Sequence, residues 1–65
     1  MTRAFFRSLM AESDELAAKM ERLEAFTGTE TFRDLSALDR DLLLDQRFAM
    51  RSYYKALSAR IQRAV

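Results

Sequence analysis

Apolar side chains recur every seven residues through the first part of the chain. Leu9, Leu16 and Leu23 form one row, and Phe6, Ser13, Met20 and Thr27 form a second, offset by three and four. Rows with that offset are the a and d positions of a heptad, and they oblige a helix to bury one stripe against another helix. From Arg3 to Ala25 there is no Gly or Pro, and Ala, Leu, Met, Glu, Lys and Arg dominate, so one helix is expected over about residues 3–26. Ser13 interrupts the seam. The run Glu12-Ser13-Asp14-Glu15 leaves open a second version, in which a short N-terminal helix ends there and a fresh one begins.

The stretch Thr27-Gly28-Thr29-Glu30-Thr31 is the one break in this pattern. Gly28 is the only glycine and is expected to end the helix with a positive φ, while the threonines favour caps over helix interiors. Phe32 and Leu35 anchor a short connecting segment, and Ser36 followed by Asp39 reads as an N-cap with an acidic residue three positions on. A second helix then runs from about Ala37 to residue 64, with Asp39 and Asp41 in its first turn to suit the dipole. On it Leu43, Met50, Leu57 and Ala64 make one heptad row, Leu42, Ala49 and Ala56 an adjacent one, and Tyr54 and Ile61 a third. That face is wider than a two-helix seam requires. A hairpin with two neighbouring apolar rows packs its own first helix with one and another protomer with the other. The expected architecture is all-α: an antiparallel two-helix hairpin, one domain over residues 1–65, assembling as a dimer or higher homo-oligomer into a helical bundle.

Composition agrees with that expectation. A chain of 65 residues buries only about 60% of its unfolded surface, so its stability is marginal without help. With no Cys and no His, disulfides and thiolate or imidazole metal sites are excluded, and oligomerisation is the remaining support. Apolar residues at 49% and nearly balanced charges at 32% fit a helical globular protein and not a disordered one. The longest uncharged run, Ala25 to Thr29, is far too short to span a bilayer, and Arg3 and Arg7 flank the only apolar stretch near the N-terminus. No membrane association is expected, and the expected location is cytoplasmic.

The net charge of +1 predicts no strong nucleic-acid binding, but the charge is unevenly placed. Residues 1–34 carry 5 basic and 7 acidic side chains, against 6 and 3 in residues 35–65. From Gln46 onward Arg47, Arg51, Lys55, Arg60 and Arg63 occur with no Asp or Glu. These cations complement a helix C-terminus or bind an anion. Gln46, Tyr53 and Arg60 fall seven residues apart, on one line between the apolar rows. One reading makes them buried polar contacts that fix helix register. The other makes them a ligand surface shared with Arg47, Arg51, Tyr54 and Lys55, where guanidinium groups grip a phosphate and a tyrosine stacks a base. The turn offers a second candidate surface in Thr29, Thr31 and Arg33 with Gly28 and Thr27, although capping also explains the threonines. Phe5 and Phe6, between Arg3 and Arg7, suit packing against a partner subunit. Paired carboxylates such as Glu12 with Glu15 and Glu21 with Glu24 sit beside Lys19 or Arg22 at ion-pair spacing, as on a solvated helix face. Without a His, a Cys or a glycine-rich phosphate loop, no catalytic residues, no metal and no cofactor are expected.

A resemblance adds to this reading. Arg22-Leu23-Glu24-Ala25-Phe26, Glu30-Thr31-Phe32, Leu35, Leu42-Leu43, Gln46, Ala49-Met50, Tyr53, Leu57 and Arg60-Ile61 together resemble a family of small phage helical hairpins related to a crAss-like phage. The resemblance covers roughly residues 13–62. Phage and prophage hairpins of this kind are similar to the sponges that defeat CBASS or Thoeris immunity by sequestering cyclic nucleotide messengers, in pockets formed between protomers. The resemblance implies an anti-defence protein that binds a cyclic oligonucleotide or related nucleotide signal without catalysis. The alternative is an oligomeric interaction module that docks on and inhibits a host defence protein.

Overall fold

The computed structural model describes residues 2–64. Helix α1 spans Arg3–Thr27, a short helix α2 spans Glu30–Asp34, and α3 spans Ala37–Ala64. Helices α1 and α3 pack antiparallel along their length, giving a rod of 47 × 15 × 13 Å. Its radius of gyration, 14.9 Å, exceeds the roughly 11 Å of a compact domain of this length.

Each helix starts where a side-chain oxygen can satisfy an orphan backbone donor. The Thr2 hydroxyl accepts from the Phe5 N–H at 3.1 Å, Thr29 from Phe32 at 3.2 Å, and Ser36 from Asp39 at 3.1 Å. The Ser36 cap therefore sets α3 at the expected residue. Helix α1 runs unbroken through Ser13, which is buried, so the version with a fresh helix after Glu12 does not occur. The expected connecting segment is largely helical, because Thr29 caps it and Glu30 and Arg33 lie at the ends that suit its dipole. Phe32 and Leu35 anchor it as half-buried side chains, with the Phe32 ring edge-on to Phe26 at 6.0 Å between centroids.

One expectation fails at the turn. Gly28 has φ −91° and ψ 2°, a conformation open to any residue, not a positive φ. The chain leaves α1 through Gly28 N–H to Ala25 carbonyl and Thr29 N–H to Phe26 carbonyl bonds, then turns into extended backbone at Thr29, and no left-handed residue is needed.

The core is thin. Leu9, Leu16 and Leu57 are buried, Leu57 completely, with Met20, Met50, Tyr54 and Ile61 packed against them. The expected seam rows of α1 and the Leu43 and Tyr54 rows of α3 face inward, whereas the Leu42–Ala49–Ala56 row is exposed. Leu57→Ala should cost about 2–5 kcal/mol, enough to unfold so slight a protein, as read by thermal or urea denaturation. Gly28→Ala should keep or raise stability, by about 0.4–1 kcal/mol, because an added Cβ meets only the Ala25 carbonyl oxygen at 3.6 Å.

Candidate functional site

Successive residues of α3 turn by about 100°, and this rotation divides the cations and tyrosines that the sequence groups together. Tyr54 points into the seam and packs on the leucine core. Arg47, Arg51 and Lys55 lie on one flank of that seam, while Gln46, Tyr53 and Arg60 lie on the other. The two flanks are separate surfaces of the rod.

On the first flank Arg47 is half buried, and its Nη2 donates to Glu24 Oε1 of α1 at 3.5 Å. This pair is long and solvated, so it orients Arg47 more than it stabilises the fold. One turn further along, Arg51 is exposed. Between the two arginines, Leu44 and Phe48 line a shallow depression of about 190 Å³. Phe48 is the most exposed large apolar side chain, at 72%. Leu44, Arg47, Phe48 and Arg51 follow the i, i+3, i+4, i+7 spacing of one helix face. Leu44 and Phe48 carry no role in the sequence reading above. Their signal was two large apolar residues outside every heptad row, interleaved with arginines.

On the second flank the Gln46–Tyr53–Arg60 line is exposed, so the reading of buried register contacts does not hold within the protomer. The Arg60 guanidinium lies 6.0 Å from the Phe5 ring centroid, an exposed cation–π contact that ties the start of α1 to the end of α3. Phe5 is exposed and Phe6 half buried, so the pair divides between surface and seam.

At the turn Thr29 is occupied as a cap, and its hydroxyl also donates to the Phe26 carbonyl at 2.7 Å. Thr27 likewise donates to the Glu24 carbonyl at 2.7 Å. Thr31 and Arg33 are exposed on α2, and Thr27 and Thr29 spend their hydroxyls on backbone groups, so the turn residues form a structural joint. Among the described residues no group of three or more carboxylates is placed to hold a metal, and no helix is long and apolar enough to cross a membrane.

Fold and surfaces together define a small two-helix hairpin that carries its charged and aromatic groups on open faces and not in a cleft. The chain belongs to the Sequestin family, whose model matches residues 3–63. No curated protein and no solved structure matches it. Thr29→Ala should lower stability by about 1 kcal/mol through the lost cap and leave the behaviour of the arginine flank unchanged, which thermal melts beside ligand titrations would check.

Proposed function

We propose that this protein is a phage or prophage anti-defence factor that sequesters a cyclic oligonucleotide or related nucleotide immune signal without catalysis. Membership of a family named for sequestration supports the binding role. The observation that carries the ligand class is the Leu44–Arg47–Phe48–Arg51 depression. Two planar guanidinium groups suit bidentate capture of phosphate, and the exposed Phe48 ring between them suits stacking of a base. The depression is open to solvent at about 190 Å³, and Lys55 extends the cation row beyond it. The sequestered signal leaves unchanged, because the flank carries cations and apolar groups but no general base. The setting proposed is the cytoplasm of an infected or lysogenic bacterium.

One feature favours a second reading. Arg51, Lys55 and Phe48 spread over an outer face, and an exposed aromatic anchor among arginines is also how protein hot spots are built. In that reading the flank docks on a host defence protein.

Native mass spectrometry with cyclic di- and trinucleotides and cyclic ADP-ribose isomers separates the two. The expected result is whole-number ligand counts, with the ligand recovered intact after denaturation. Arg51→Ala and Phe48→Ala should each weaken binding by about tenfold without changing the protein's own mass state. A protein that stays empty across the panel would transfer the function to a protein partner.

A further inference from the structure

With 11 cations and 10 carboxylates, the chain brings together one side-chain ion pair among the described residues, and that pair borders the candidate site. Glu24 follows Leu23 of the seam row on α1, and its Oε1 lies 3.5 Å from Nη2 of Arg47 on α3. Arg47 is also one wall of the depression that it shares with Leu44, Phe48 and Arg51. The pair contributes little to stability, because Glu24 is 66% exposed and water screens the interaction. Its effect is local. A full negative charge stands at the edge of a surface otherwise made of cations and apolar groups.

A guanidinium carries five N–H donors, and Glu24 takes one of them at Nη2. The donors on Nε and Nη1 remain for a ligand. A phosphate held there lies roughly 4–6 Å from the Glu24 carboxylate, close enough for every charge it carries to be repelled. Arg47 and Arg51 alone would favour the more highly charged phosphate. Glu24 cancels one of their two charges, and the loss weighs most on a ligand with the most charge to place. A phosphodiester carries a single negative charge, whereas a terminal phosphate monoester carries about −1.5 to −2 at pH 7.

Taking this flank as the phosphate site, as proposed above, we infer that Glu24 is a specificity-determining residue, which biases the flank towards phosphodiester groups and away from terminal phosphate monoesters. Discrimination of this kind needs a repulsive group as well as attractive ones. A cyclic nucleotide has no terminal phosphate, while the mononucleotides of any cell end in one. Two guanidinium groups beside an aromatic ring would hold both kinds of ligand, and Glu24 is the group on this flank that tells them apart.

Adenosine 5′-monophosphate and its methyl phosphodiester are matched probes, since they share base and sugar and differ by the methyl group that removes the second charge. In NMR titrations at low salt and about pH 8, where the monoester is a dianion, Glu24→Gln should raise affinity for the monoester about three- to fivefold more than for the diester. Glu15 lies nine residues before Glu24, hence half a turn round α1, and is exposed on the opposite face. Glu15→Gln removes the same charge there and should leave the ratio of the two affinities unchanged. A ratio unmoved by Glu24→Gln would overturn the assignment. So would an equal shift with Glu15→Gln, or two esters that at millimolar concentration bind neither the native chain nor the Glu24→Gln variant. A native chain that stays empty of cyclic nucleotides yet shows the shift loses the sequestration reading and keeps the role of Glu24; one that takes up cyclic nucleotides with the ratio unmoved does the reverse.

Discussion

The structure depends on the burial of Leu57 with Leu9 and Leu16. Among the described residues Leu57 is the one side chain taken wholly out of water, and it belongs to α3 while its two buried neighbours in the core belong to α1. That contact brings together two helices that local propensity forms but does not position. It also fixes the levels at which Glu24 meets Arg47 near the turn and Phe5 meets Arg60 near the open end. Burying a leucine contributes about 1.5–3 kcal/mol, so three of them offset only a small part of the ordering of a 65-residue chain. A rod only two helices thick cannot bury more by itself. Leu38, Leu42 and Phe48 are left more than half exposed as a result.

Much of this is legible in the amino-acid sequence, because the features involved are local. Ser36 with Asp39 marks the start of α3, and the absence of Gly and Pro before Ala25 marks the run of α1. The seven-residue repeat identifies Leu9, Leu16 and Leu57 as inward-facing without any knowledge of the partner. The turn is less legible. Gly28 is the residue type that ends helices in the left-handed region, yet here the following Thr29 takes an extended conformation and caps α2, so the chain reverses in two ordinary steps.

The candidate surface was the least legible part, for a geometric reason. Heptad spacing groups residues into lines along a helix but does not say on which side of the seam each line falls. Tyr53 and Tyr54 are adjacent in sequence and differ by about 100° in direction, so one reaches the flank while the other packs on the core. Arg47 and Arg60 are likewise separated by the seam, and a basic segment that reads as one patch becomes two. Leu44 and Phe48 belong to no repeat, and both stay exposed.

The division into two flanks separates balanced charge from excess positive charge. On one flank acids and bases balance, with Glu12 and Lys19 on α1 and Asp45 and Arg60 on α3. On the other, Arg51 and Lys55 meet no carboxylate among the described residues, and Arg47 meets Glu24 at 3.5 Å. A cation already paired with a carboxylate is of little use to an incoming phosphate, since the pair must first be broken and desolvated. The excess positive charge of α3 steers anions and acidic groups towards the flank that also leaves Leu44 and Phe48 exposed.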